Sequence, residues 1–305
     1  MAKLPAALIG RQWLWPTLLE QIHFGPHKTI VMLADAGFGK SAISVELYER
    51  QLELLGLGKA ARVICSFTDQ QTLSAPTLIR SIAVQCRQNI PSFDRNFSLV
   101  QLQLLMSSSA DPVKAFVEGV LRPLSACPEL TRTIHCLVVD SLDESLLTVE
   151  SNSGVTSVSS MAALLCNPIV VSALPSRLRM LATSRNEASV LRLLGGRVSR
   201  LDLHGEDNLR DLEQFAKTQL WREPLLKLAL KQFDRSGFVL FSNSSPSVCV
   251  DKAVAALLKQ ADGRFLVMKH LLRSTEQAAV AALTGEVSDH AGSKVSAHFG
   301  AASHH

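Results

Sequence analysis

Aromatic residues and long apolar runs are scarce in this chain of 305 residues. Aromatic side chains make up 5% of it, with a single tyrosine, which disfavours a protein that stacks nucleic-acid bases on rings. The longest apolar stretch, residues 161–175, is interrupted by Asn167 and Pro168 and is too short to cross a bilayer. The first residues also lack the apolar core of a secretory signal. We therefore expect no membrane insertion and a cytoplasmic protein.

Closely spaced cysteines and clustered charges are lacking as well. The six cysteines lie far apart without C-x-x-C spacing, so we expect a reducing compartment and no zinc site. The net charge is only +4, with scattered lysines and arginines, and no nucleic-acid partner is expected from it. A hydrophobic content of 47% with 19% charged residues is typical of a globular chain.

The most informative stretch is residues 29–47. The apolar run 29–33 predicts a strand, a turn with Gly37 and Gly39 follows, and Lys40 and Ser41 open a helical pattern. Strand, glycine loop and helix in this order are typical of the phosphate loop G-x-x-x-x-G-K-[ST]. Ala34 stands where that pattern has its first glycine, and alanine excludes the left-handed conformations that glycine allows.

This loop predicts a site for ATP or GTP with Mg²⁺. Its backbone N–H groups and the helix N-terminus would face phosphate oxygens, the Lys40 ammonium would pair with them, and the Ser41 hydroxyl would hold the metal. The nucleotide-binding residues that we predict in the loop are Ala36, Gly37, Phe38, Gly39, Lys40, Ser41 and Ala42.

A second informative stretch is residues 134–145. The apolar run 136–139 predicts a buried strand that ends at Asp140, a Walker B arrangement in which Asp140 would bind the metal together with Ser41. Asp143 and Glu144 follow, and we predict that one of them is the hydrolytic base. Arg185, after the apolar run 178–182, is predicted to sense the γ-phosphate or to stabilise charge.

The periodicity predicts an α/β fold, and the phosphate loop indicates that it is of the P-loop NTPase (ASCE/AAA-like) type. Five strands alternate with helices in the doubly wound pattern of a five-stranded parallel sheet with flanking helices, at 29–33, 61–67, 136–139, 178–185 and 198–203. Other helices are predicted at 16–23, between a Ser74 cap and Pro91, at 111–126 and at 160–166, the last followed by a loop. A small helical lid should follow the sheet, with helices at 207–220, 225–233, 251–260 and 265–272. We expect a nucleotide-binding domain at 1–204, the lid at 205–273 and a disordered tail at 274–305.

These residues resemble the STAND-class P-loop NTPases, and within that class the NACHT-like domains of TANC-type and nephrocystin-type proteins. The matching segments are LIGRQWL (8–14), ADAGFGKSA (34–42), FTDQQTLSAPTLIRSIAVQ (67–85), LVVDSLDES (137–145), LPSRLRMLATSRNE (174–187), LDLHGEDNLRDLEQFAKTQL (201–220) and ADGRFLVMKHLL (261–272). The resemblance implies a nucleotide switch, closed with diphosphate and open with triphosphate, that promotes oligomerisation of a signalling scaffold. It also implies that the partners are other protein chains, through self-association or signalling.

Because a phosphate loop follows them, Gly10 and Arg11 are predicted to form an arm that folds over the nucleotide base. Where many relatives have Gly-x-Pro, this chain has Gly263, Arg264 and Phe265. No winged-helix, effector or repeat segment is recognisable, so we expect an NTPase module alone, a fragment of a longer protein, or a gene product that has lost its partners.

Three functions are compatible with the sequence. The first is nucleotide binding with slow hydrolysis by a STAND-type ATPase. The second is a non-catalytic nucleotide-binding or interaction module that has lost hydrolysis, which Ala34 favours. The third is a DNA-associated AAA-type ATPase, against which the weak positive charge argues.

Overall fold

A computed structural model describes residues 8–108, 111–146, 160–222 and 246–284. The chain divides into two compact units. The sheet unit comprises Trp13–Asp35 and Lys40–Leu203. The helical unit comprises Met1–Gln12, Ala36–Gly39 and His204–His305, so the chain passes between the units after Gln12, Asp35, Gly39 and Leu203.

The sheet unit is built on a five-stranded parallel sheet, which confirms the predicted fold class. Its strands are β1 (Thr29–Leu33), β2 (Gly58–Ile64), β3 (His135–Asp140), β4 (Leu178–Ser184) and β5 (Ser199–Asp202). They lie in the order β2-β3-β4-β1-β5, and every neighbouring pair is parallel. Because β4 lies between β1 and β3, the ends of these three strands come together at the carboxyl edge of the sheet.

Burial explains why these runs form strands. Every residue of β1 and β3 is buried, as expected for the centre of a parallel sheet covered on both faces. The edge strand β5 alternates between half-buried and exposed residues. One face of the sheet packs with helices into an apolar cluster that includes Val31, Ile79, Phe116 and Val139.

Helices surround the sheet within this unit. Those before β3 are α1 (Leu14–Phe24), α2 (Lys40–Glu46), α3 (Leu52–Leu54), α4 (Ala75–Asn89), α5 (Phe93–Asn96), α6 (Leu99–Ser108), α7 (Pro112–Phe116), α8 (Arg122–Ser125) and α9 (Glu129–Arg132). After β3 come α10 (Met161–Cys166), α11 (Pro168–Ala173) and α12 (Ala188–Leu194). Side chains cap several of them: Asp111 accepts from the Val113 amide at 2.9 Å, and Ser160 from the Ala163 amide at 3.2 Å.

Three sequence expectations need correction here. The strand expected at 61–67 lies at 58–64, because its register is set by pairing with β3. The helix expected at 111–126 contains a π-helical turn at Val117–Leu121. The loop expected after Cys166 contains helix α11, since Asn167 caps it and Pro168 occupies its first position.

The helical unit contains α13 (Glu206–Arg222), α14 (Pro246–Ala261) and α15 (Phe265–Thr284). These helices pack through an apolar cluster that includes Leu212, Leu220, Leu257 and Met268. Helix α15 continues past residue 273, where we expected the lid to end. The helix predicted at 225–233 and residues 285–305 lie outside the described residues. In the described part of the chain, no helix combines the length and apolar character needed to cross a membrane.

Candidate functional site

The turn after β1 has the backbone conformation that its glycines allow. Gly37 and Gly39 have positive φ angles of 87° and 84°. A β-carbon at Gly39 would meet no atom within 4 Å, so the positive φ, and not crowding, requires glycine there. Ala34 is not among the residues with positive φ, so its β-carbon imposes no strain. The departure from the phosphate-loop pattern is therefore sterically harmless.

Lys40 lies at the centre of the site in the sheet unit. Its ammonium donates to the carbonyl oxygens of Ala34 at 2.7 Å and Asp35 at 2.8 Å. Burial lowers the pKa of Lys40, while the carboxylates of Asp143, Asp35 and Asp140 oppose this shift. The predicted carboxylates therefore lie close enough to Lys40 to act on its charge. Ser41 and Ala42 follow in the first turn of α2 and are exposed.

Asp140 ends β3 and is 1% exposed. Its Oδ1 accepts from the Thr183 hydroxyl at 2.6 Å, and its Oδ2 lies 3.8 Å from Nη2 of Arg62. The Thr183 hydroxyl in turn accepts from the Ser141 amide at 2.9 Å. Ser141 has a positive φ of 58°, a conformation that costs free energy in a residue other than glycine. The chain turns sharply at Asp140, and β4 fixes the orientation of its carboxylate.

Asp143 and Arg185 form a pair at the ends of β3 and β4. Oδ1 of Asp143 accepts from the Arg185 amide at 3.0 Å, and Oδ2 lies 3.3 Å from Nε of Arg185. Asp143 is 5% exposed, whereas the Arg185 side chain is 44% exposed and also lies 3.7 Å from Glu187. The structure therefore brings two of the predicted catalytic residues together as partners of one another.

Glu144, the third predicted catalytic residue, has a different partner. Its Oε2 accepts from the backbone amide of Phe67 at 2.6 Å, in the segment that follows β2. Among the described residues, the hydrogen bond to Glu144 reaches this one oxygen, while both oxygens of Asp143 face Arg185. Of the two candidate bases, Glu144 thus keeps more acceptor capacity for a water molecule.

Gly10 and Arg11 lie in the helical unit and have positive φ angles of 82° and 66°. Arg11 is 1% exposed, and burial lowers its pKa although Asp211 opposes the shift. Its Nη2 donates to the carbonyl oxygen of Phe38 at 2.8 Å, and its guanidinium lies 4.9 Å from the ring centre of Phe265. The described contacts of Arg11 are thus with protein groups, and its contact with a nucleotide base stays a prediction.

Sequence reasoning missed three partners of the site. Arg62, the Phe67 amide and Asp211 reach their partners across separations in sequence that periodicity cannot detect. A charged residue inside the apolar run 61–65 was the one available signal, because such a side chain needs a partner when it is half-buried.

The donor set suits a magnesium ion that is shared with a phosphate. Among the described residues, no group of three or more His, Cys, Asp or Glu side chains is placed to hold a metal by itself. Mg²⁺ commonly uses one or two protein oxygens and completes its shell with phosphate oxygens and water. The Ser41 hydroxyl and the Asp140 carboxylate are ligands of this kind, and the ammonium of Lys40 already binds oxygen acceptors.

Comparison with solved structures gives similarities at low sequence identity. Cdc6p from Pyrobaculum aerophilum is 14% identical with a TM-score of 0.44, over 93% of this chain and 65% of that one. Drosophila ORC bound to DNA is 13% identical with a TM-score of 0.44, over 93% and 65%. The Aeropyrum pernix ORC2 protein in ADPNP-ADP complexes is 14% identical with a TM-score of 0.45, over 92% and 70%. This chain thus spans less than two thirds of the first two.

Comparison with sequences gives one family. A search of curated proteins finds no match. The family model "Nephrocystin 3, N-terminal" matches residues 12–185, which is more than half of the chain and includes the phosphate loop, Asp140 and Arg185. The chain therefore belongs to the Nephrocystin 3, N-terminal family.

Proposed function

We propose that this chain binds ATP or GTP with Mg²⁺ and hydrolyses it slowly, as the nucleotide-switch module of a STAND- or NACHT-type signalling or scaffold protein. The observation that carries the proposal is the surroundings of Lys40. A buried ammonium that binds two carbonyls of its own loop lies within the influence of Asp140, Asp143 and Arg185. An ammonium that binds exchangeable carbonyl oxygens, beside carboxylates at the ends of two strands, suits a polyphosphate.

Each residue has a proposed part in binding. The Lys40 ammonium exchanges the carbonyls of Ala34 and Asp35 for phosphate oxygens, which are acceptors of the same kind with more negative charge. The Ser41 hydroxyl and Asp140 would hold Mg²⁺, which neutralises charge on the phosphate oxygens when bound. Thr183 keeps the Asp140 carboxylate in one orientation.

Hydrolysis requires a base that orients water and accepts its proton. We assign this part to Glu144, because Asp143 is held on both oxygens by Arg185. Arg185, with a half-exposed side chain, is the cation proposed to respond to the γ-phosphate. The Phe67 amide already binds one Glu144 oxygen, which agrees with slow turnover.

The second candidate function is a nucleotide-binding module without hydrolysis. The hydrogen bond between the Phe67 amide and Glu144 also favours it. If the Phe67 amide holds Glu144 in every state, no carboxylate is left to act on water. A DNA-associated AAA-type function has less support, because the net charge of +4 is small for a protein that binds a polyanion. A gel shift of DNA by this protein that weakens with increasing salt would support the DNA-associated function.

Calorimetric titration with ATP, ADP, GTP and GDP, with and without Mg²⁺, tests the binding proposal. Phosphate release measured on the same preparation separates the two leading functions. We expect binding of at least one nucleotide and slow release of phosphate. Binding without release would favour the non-catalytic module, and binding of none of the four would refute a nucleotide site. The identity of any nucleotide that copurifies with the protein indicates which base is preferred and which phosphate state is retained.

A further inference from the structure

Two carbonyl groups at the tip of the phosphate loop are bound from within the helical unit. The Leu266 amide donates to the carbonyl oxygen of Gly37 at 3.0 Å, and Nη2 of Arg11 donates to that of Phe38 at 2.8 Å. The Phe38 ring is 4% exposed and lies 4.4 Å from the ring of His204, centre to centre. The tip Ala36–Gly39 is thus held by its carbonyls and by one buried side chain.

These hydrogen bonds to carbonyl oxygens also fix the direction of the N–H groups in the same peptides. The described chain has no cis peptide bond, and in a trans peptide the C=O and the N–H point in opposite directions. The carbonyl of Gly37 shares its peptide with the amide of Phe38, and the carbonyl of Phe38 shares its peptide with the amide of Gly39. Donors on these carbonyls therefore direct the amides of Phe38 and Gly39 away from Leu266 and Arg11. Such bonds also polarise the peptide and strengthen its N–H as a donor.

Arg11 has fewer hydrogen-bond partners on its guanidinium than expected for a buried side chain with only a structural role. Its Nη1 has no hydrogen-bond partner among the described residues, and its Nε lies 3.9 Å from Asp211, beyond an ordinary hydrogen bond. It also adopts a positive φ of 66° and loses solvation on burial. An apolar side chain of similar volume would avoid the cost of the buried charge. A role in ligand binding would account for a guanidinium at this buried position.

We propose that Arg11 is a positioning residue for phosphate binding, which acts through the peptide between Phe38 and Gly39 and does not touch the nucleotide base. The proposal rests on the proposed nucleotide site and changes the part expected for Arg11. By holding the Phe38 carbonyl from behind, the guanidinium aims the Gly39 amide at a phosphate oxygen before the ligand arrives. The ligand class is a polyphosphate, with or without a nucleoside.

The test compares Arg11→Met with the unaltered protein, by calorimetry with ATP, GTP and inorganic tripolyphosphate. We expect all three affinities to fall by the same factor, about tenfold to a hundredfold, because a charge-assisted hydrogen bond is lost. A guanidinium that contacts the base would give a loss with ATP or GTP and none with tripolyphosphate. That result, or unchanged affinity for all three ligands, would overturn the proposal.

A second variant keeps the test decisive if Arg11→Met fails to fold. Leu266→Pro removes the amide that binds the Gly37 carbonyl, at an exposed position in the first turn of α15, where proline is tolerated. It should reduce the affinity for all three ligands by an equal factor. A loss restricted to the two nucleotides would contradict the mechanism.

Leu212→Ala is the structural control. It opens the apolar cluster of the helical unit at a residue that is fully buried. The melting temperature of Leu212→Ala should fall with affinities within about twofold of the unaltered protein, whereas Arg11→Met, which also loses a donor to a buried carbonyl, should lose affinity for all three ligands. Equal affinity losses in both variants would assign the effect to stability and overturn the proposal. If the unaltered protein binds none of the three ligands, the nucleotide site itself is refuted, which is a separate failure.

Discussion

Two lysines bracket strand β1 and use their ammonium groups in different ways. Lys28, before the strand, donates to the carbonyl of Leu174 at 2.6 Å. Lys40, after the strand, donates to the carbonyls of Ala34 and Asp35. Burial lowers the pKa of both, and a nearby arginine adds to the shift in each case, but only at Lys40 do carboxylates, those of Asp143, Asp35 and Asp140, oppose it. One ammonium joins two distant parts of the chain, and the other is held by the loop that carries it.

This difference indicates at which edge of the sheet a side chain can exchange its hydrogen-bond acceptors for those of a ligand. At the amino edge, Lys28 and Arg179 donate to the carbonyls of Leu174 and Ile22, in other segments of the sheet unit. At the carboxyl edge, the acceptors around Lys40 belong to a short turn, and acidic side chains lie nearby. We therefore expect changes at the amino edge to alter stability and changes at the carboxyl edge to alter ligand binding.

The largest effect is expected from the two lysines themselves. Lys40→Ala should weaken nucleotide binding by about three orders of magnitude, because it removes a buried cation from the phosphate. Lys28→Ala, the matched control, should bind normally and lose about 1–3 kcal/mol of stability, since a buried carbonyl loses its donor. Calorimetry and urea unfolding measure the two effects. Equal affinity in both variants would remove Lys40 from the site.

A second comparison separates the two carboxylates that follow β3. Glu144→Gln should bind nucleotide normally and lower phosphate release by about a hundredfold, because the base is lost. Glu53→Gln, at an exposed position on α3, should have no effect. Single-turnover phosphate release measures the difference. Normal turnover in Glu144→Gln would move the base to Asp143.

Asp140→Asn tests the metal at the carboxyl edge. The amide keeps an oxygen for the Thr183 hydroxyl but loses the charge that attracts Mg²⁺. The gain in nucleotide affinity caused by Mg²⁺ should fall by about tenfold, while the affinity measured with chelator stays unchanged. Calorimetry under both conditions provides this ratio. A Mg²⁺ effect of normal size would exclude Asp140 as a ligand.

The smallest effect is expected at the amino edge, from His135. Burial lowers the pKa of His135, and its Nδ1 lies 3.1 Å from the Thr133 carbonyl oxygen. The folded state therefore disfavours the protonated ring, and the unfolded chain takes up the proton first as the pH falls through about 6.5. Stability should be level above that pH and decrease below it, by no more than about 1.4 kcal/mol per pH unit.

Urea unfolding at several pH values measures this slope. His135→Phe should flatten it between about pH 6.5 and the lowered pKa of the folded ring, without altering nucleotide affinity. A change in affinity would contradict the separation between the two edges of the sheet.

The sequence predicted the sheet well because its signals are local. The apolar run 29–33 is followed by a short turn and Lys40, and the apolar run 136–139 ends directly at Asp140, so these strands and charges can be identified without tertiary contacts. Helices α5, α6, α9 and α12 were not predicted. Helix α6 exposes Val100 and Leu104, and its apolar pattern therefore lacks a clear helical face.

The partners within the site depend on long-range packing and could not be predicted. Glu144 meets an amide 77 residues away, and Arg11 meets the carbonyl of Phe38 across 27 residues. Both bonds use backbone groups, which carry no signature in the amino-acid sequence. Residue types at strand ends thus predict candidates, and only the folded chain indicates which of them are already engaged.

The path of the chain between the two units has a practical consequence. The polypeptide leaves the sheet unit after Asp35, spends four residues in the helical unit and returns at Lys40. A truncation after Leu203 would keep all five strands yet discard the Leu266 amide and the Asp211 carboxylate. The turn at residues 36–39 is therefore not expected to keep its conformation if it is transferred to another protein with strand β1 alone. Engineers who shorten, fuse or permute this protein should treat the helices after residue 204 as a component of that turn.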